Sequence, residues 1–206
     1  FGIIKTFDAK EIEAFLSLGR LIRKYIKDKQ LDKPLSIAVF GAPGAGKGFS
    51  VNQILESVCP GKKTKSLTFN LAQFSSVEQL TEAFHQVQDL ALSCGEDEVP
   101  LVTFDEFDAF FETQLGWLKF FLAPMQDGLF RGRGGTYRVG RAIFLFAGGT
   151  CSNFAEFKNQ RFKFDESVSG NGAFSENSVL RRRAKLDDFI SRLRGYLDVP
   201  DINPEK

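Results

Sequence analysis

The chain has 206 residues, 43% of them apolar and 26% charged, with a formal net charge of +1. That length suits one substantial core in the composition range of soluble globular proteins, and the charge argues neither for nor against a nucleic-acid partner. No apolar run approaches the roughly 18 residues a membrane crossing needs, so no membrane partner is expected. Cys59, Cys94 and Cys151 are odd in number and lack paired spacing, which argues against a disulfide framework or zinc site and for a reducing, cytoplasmic setting. The outlier is Phe, with 23 copies against three Tyr and one Trp; many should fill the core, and some are expected at a surface awaiting cover. No signal peptide is recognisable, and a chain opening at Phe1 is expected to be excised from a longer one.

In chain order, residues 10–29 predict an amphipathic helix, with Ile12, Phe15, Leu16, Ile22, Tyr25 and Ile26 on one face, broken at Asp32-Lys33-Pro34. The apolar run 35–40 has strand length and leads into the glycine-rich stretch GAPGAGKG, Gly41 to Gly48. A helix should start near Gly46, turn Val51, Ile54, Leu55 and Val58 inward, and end before Pro60-Gly61. Residues 66–71 predict a second strand. Ser75-Ser76-Val77-Glu78 has the form of a capping box before a helix carrying Val77, Leu80, Phe84, Val87 and Ala91.

A polar turn at 94–98 precedes a third strand over 101–104, and Leu115, Leu118, Leu122 and Met125 mark a helix stopping near Gly128. The glycine- and arginine-rich stretch 128–140 reads as a β-hairpin, 142–147 as a fourth strand, and 159–178 as a mobile loop. A short helix over 186–194 and a strand over 195–199 complete the pattern. Strands alternating with helices, several of them apolar on both faces, predict an α/β fold: a mainly parallel five-stranded sheet between helices. The expected division is a helix and linker over 1–33, an α/β domain over 34–201 and a short continuation over 202–206.

Two stretches carry chemistry. In Gly41, Ala42, Pro43, Gly44, Ala45, Gly46, Lys47, Gly48 and Phe49, glycines let consecutive backbone N–H groups converge on one point at a helix N-terminus. Lys47 then offsets β- and γ-phosphate charge. A plain glycine turn is the alternative, set aside by the strand before, the helix after and the placement of the lysine. In Leu101-Val102-Thr103-Phe104-Asp105-Glu106, a buried strand ends in two acids at the sheet edge where ligands of open α/β sheets bind. Asp105 is expected to hold magnesium, through water, and Glu106 to polarise an attacking water. Taken alone, the two acids fit an acidic turn equally well; the glycine loop decides between the readings.

These residues resemble the α/β ATPase core of AAA+ proteins over about residues 10–201. GAPGAGKG is similar to the Walker A motif, and LVTFDE to the Walker B motif. FLAPMQDGLF, an insert and AIFLFAGGT resemble the stretch from the third helix to sensor 1 in Clp-type unfoldases and enhancer-binding activators, and DDFISRLRGYLDV the segment before their last strand. The resemblance implies ATP and Mg2+ as ligands, Thr150 as the sensor-1 polar group and Asn70 as the residue restraining the catalytic glutamate. It also implies Arg192, or else Arg194, as an arginine finger completing a neighbour's site, and so a homo-oligomer remodelling a macromolecule. Turn residues at Asn70 and Thr150, and a solvated Arg192, are the plainer alternatives.

Two departures stand out. Gly48 replaces the hydroxyl residue that ligates magnesium, leaving water or Ser50 to serve, and a positive φ there would be disturbed by an added side chain. The helical lid of the family would begin where the chain stops, at Lys206, and is expected beyond it. Gly48 also opens two other readings: a nucleoside monophosphate kinase, which DGLFR at Asp127 fits only loosely, and a non-catalytic nucleotide switch. Arg131 to Arg141 offers a basic stretch for nucleic acid, although solvated hairpin arginines explain it as well. No aromatic-glycine pore loop occurs between Ser93 and Pro100, His85 reads as a surface residue, and Arg181-Arg182-Arg183 falls where a subunit interface would lie.

Overall fold

Leu35–Phe40 forms β1 with every residue buried, as a strand covered on both faces requires. The computed structural model describes residues 9–42, 44, 46–58, 64–95, 98–160 and 184–199. The stretch read as a mobile loop lies outside them from residue 161 on, as do Arg181 to Arg183 and residues 202–206. Around β1 the chain runs α1 (Ala9–Lys27), α2 (Lys47–Val58), β2 (Ser66–Asn70), α3 (Val77–Leu92), β3 (Leu101–Asp105) and α4 (Leu118–Asp127). It continues through β4 (Leu129–Gly132), β5 (Gly135–Arg138), β6 (Ile143–Ala147), α5 (Phe154–Lys158), α6 (Leu186–Arg192) and β7 (Gly195–Asp198).

Five strands form one parallel sheet in the order β2-β3-β6-β1-β7, while β4 and β5 make the expected antiparallel hairpin. Alternation along the strands feeds two cores. Ile37, Val39, Ile143 and Leu145 face Ile22 of α1 and Val51 and Ile54 of α2. Phe40, Phe104, Phe144 and Phe146 face Phe84 of α3, Phe121 of α4 and Phe189 of α6. The result is a sheet between two helical layers. Its register aligns Asn70 with Asp105 and Asp105 with Ala147, so three strands end level at one edge.

The phenylalanines fill the second core. Phe104 has ring centroids 4.7, 5.0 and 5.5 Å from Phe121, Phe144 and Phe146. Burying each such ring contributes roughly 2–3 kcal/mol. The expected phenylalanine-rich surface is reduced, among the described residues, to Phe110, which is 75% exposed.

Boundaries shifted where local chemistry outranked periodicity. The capping box is Ser76 with Gln79, one residue later than Ser75 with Glu78, because the Gln79 side chain accepts from the backbone N–H groups of Ser75 and Ser76. Leu115 lies before α4, in a left-handed turn with φ 59°. That turn folds so tightly that a β-carbon on Gly116 would meet the Phe111 carbonyl oxygen at 1.8 Å. β2 stops at Asn70, whose side-chain oxygen accepts from the Ala72 N–H at 2.9 Å and starts a 3-10 turn.

Candidate functional site

Between the end of β1 and the start of α2, the backbone turns through Gly41, Gly44 and Gly46 with φ of 150°, 82° and 78°. These values favour glycine, and they let the chain reverse into a helix N-terminus without side-chain clash. Pro43, Ala45 and the side chain of Phe49 lie outside what is described. The first turn of α2 follows at once, with the Ser50 N–H bonded to the Gly46 carbonyl at 2.9 Å. Lys47 Nζ donates to the carbonyls of Gly41 and Ala42 at 3.0 and 3.3 Å, which holds its ammonium over the loop.

Gly48 is helical and exposed, and a β-carbon there would meet nothing within 4 Å. The positive φ entertained for it is absent; its φ is not among the positive ones. Ser50, by contrast, is buried, at 7% exposure.

β3 delivers the acids to the same edge. Asp105 Oδ1 accepts from the Glu106 N–H at 3.2 Å, and Glu106 takes the left-handed conformation, φ 52°. Non-glycine residues adopt that conformation at a cost and mostly at constrained turns. The turn closes with the Ala109 N–H on the Glu106 carbonyl at 2.9 Å, with Phe107 sunk in the core. Burial first, then the like charges of Asp108 and Asp105, hold the Glu106 carboxyl above its ordinary pKa, and Lys47 offsets part of that rise.

β6 supplies the third part. Past Ala147, the Gly148 N–H bonds back to the Val39 carbonyl at 3.2 Å, tying this turn to β1. The buried Asp108 then grips the turn: Oδ1 accepts from the Gly149 N–H at 3.1 Å, and Oδ2 accepts from the Thr150 N–H at 2.9 Å and from the Thr150 hydroxyl. Asp108 was missed in the sequence. Its signal was there, a third acid two residues after Glu106 with an apolar residue between, but only the adjacent pair drew attention.

Lys47, Asp105, Glu106 and Thr150 thus share one edge of the sheet. Asn70 is in register with Asp105, yet its side-chain oxygen is occupied in capping the turn to Ala72. Arg192 is elsewhere. The Arg194 N–H bonds to the Ser36 carbonyl at 2.9 Å, which puts the end of α6 beside the start of β1, away from the loop. There Arg192 donates to the Asp188 carbonyl at 2.5 Å and to the Gln126 side chain. DGLFR begins beside that contact, at the end of α4, where Lys33 Nζ donates to the Gln126 carbonyl at 2.7 Å. It does not join the loop.

Among the described residues no group of three or more His, Cys, Asp or Glu side chains forms a metal cage. Magnesium needs none, because it keeps several waters and takes one or two carboxylates with phosphate oxygens. Asp105 fits that demand. No described helix is long and apolar enough to cross a membrane. No protein-family model matches the chain, and a comparison with curated proteins found no relative.

Proposed function

We propose that the chain is the nucleotide-binding core of an AAA+-type ATPase, hydrolysing ATP with magnesium to drive remodelling of a macromolecule as an oligomer. One observation carries the reading: a glycine loop with its lysine, a strand-end carboxylate pair and a hydroxyl turn converge on one edge of a parallel sheet. Loop N–H groups and Lys47 bind the phosphates. Asp105, through water, would hold magnesium, which would supply countercharge to the phosphate oxygens.

Glu106 orients the attacking water. Its oxygen forms a bond to the γ-phosphorus while the bond to the β–γ bridging oxygen breaks, its electron pair leaving with ADP; the water's proton passes to the Glu106 carboxylate. The raised basicity of that carboxylate suits the task. Arg192 is engaged by Asp188 and Gln126 and has no bond to its own loop, so as a finger it would act on a neighbouring copy and would leave Gln126 to do so.

The second reading is a non-catalytic nucleotide switch, favoured by Gly48, which gives magnesium no hydroxyl. ATP hydrolysis across protein concentration separates the two. The ATPase reading expects activity per subunit to rise with concentration, and Arg192→Ala to cut it by about 10³-fold while ATP binding persists. Flat activity with a normal Arg192→Ala variant contradicts the oligomeric reading.

A further inference from the structure

Thr150 has one hydroxyl proton, and it is donated to a carboxylate whose two oxygens already accept from backbone N–H groups. In this structure that carboxylate is Asp108, 3% exposed, whose two oxygens also take the Gly149 and Thr150 N–H groups at 3.1 and 2.9 Å. No cation is bonded to Asp108 among the described contacts. The carboxylate is held by three donors from one turn, so the bond to Thr150 is part of how it is accommodated in the core.

We propose that Asp108 is a positioning residue that commits the Thr150 proton, so that Thr150 presents lone pairs and accepts a hydrogen from the attacking water instead of donating to the γ-phosphate. This rests on the ATPase reading above. A phosphate oxygen only accepts, and Thr150 has no second proton to give it. The attacking water has two hydrogens. Glu106 takes one, and its carboxylate lies against Gly149, the residue before Thr150, so that a β-carbon on Gly149 would meet its oxygens at 2.4 and 2.6 Å. Two acceptors from adjoining turns then fix the water's orientation, and Asp108 holds them in place through its grip on residues 149 and 150.

The split between kcat and KM tests this, because an acceptor for water acts in the reaction and a donor to phosphate also acts in binding. In the assembled protein, Thr150→Ser should keep kcat within about 3-fold, and Thr150→Val should lower it about 10-fold or more with KM for ATP unchanged. Asp108→Asn should lower kcat similarly, and the Asp108→Asn, Thr150→Val double variant should be no slower than the worse single variant, since both break one chain of contacts. If Asp108→Asn does not fold, the Thr150 pair decides alone.

The inference is overturned if Thr150→Val raises KM with kcat intact, or if the two losses are additive. A parent that hydrolyses ATP with these variants unaffected sinks the inference and leaves the ATPase reading standing. A parent that binds but never hydrolyses ATP sinks both.

Discussion

The Glu106 carboxylate occupies the space a side chain on Gly149 would need: a β-carbon there would meet its two oxygens at 2.4 and 2.6 Å. Glycine at 149 is therefore what lets the acid reach from the end of β3 to the turn after β6. Gly149→Ala should push the carboxylate aside and cut ATP turnover about 10-fold or more, since misplacement by an ångström is costly to catalysis. ATP affinity should hold. Turnover equal to the parent's in a folded variant would mean that Glu106 is not placed by this contact.

Glu106 also links activity to stability. Its folded-state pKa is raised, chiefly by burial. The fold therefore prefers the protonated acid, and this group's contribution is present below its unfolded pKa and lost as pH rises through the raised folded value. Glu106→Gln should raise Tm at pH 7–8, with the gain vanishing below the unfolded carboxylate's pKa of about 4.3. The same variant should lose about 10²-fold in turnover. A melting temperature that falls at neutral pH would contradict the assigned cause of the shift.

Gly48 can be tested without damaging the loop. Its backbone is helical and the space around its β-position is open, so Gly48→Ser should fold and lose nothing to strain. Half-maximal activity should then need several-fold less magnesium, as a hydroxyl joins the metal's ligands. An unchanged magnesium requirement would place the metal contact away from the first turn of α2.

The layered α/β architecture was legible because the strands are short apolar runs with little competing signal, as at Leu35–Phe40 and Ile143–Ala147. The loop was legible because three positive-φ glycines and a lysine leave a spacing that side-chain packing does not produce. What escaped was set by contacts across the chain. Asp108 reads as one more acid until β6 is laid beside β3, when its partners, 41 and 42 residues on, come within bonding distance. Asn70 was placed at the site by its resemblance, and a local bond from Ala72 occupies its side-chain oxygen. Arg192 was expected to act as a finger toward a neighbour, and the return of α6 against α4 gives it Gln126 as a partner.

Lys47 tests the central claim most directly, because its ammonium sits over the loop and lies near enough to Glu106 to lower that acid's pKa. The measurement is calorimetric titration of the protein and of Lys47→Ala with ATP and magnesium. The account predicts one ATP per chain for the parent and a Kd about 30-fold or more weaker for the variant, as a charge-assisted contact to phosphate is lost. Equal affinity in the two proteins, or no binding by the parent, would contradict the assignment of Gly41 to Gly48 as a nucleotide site.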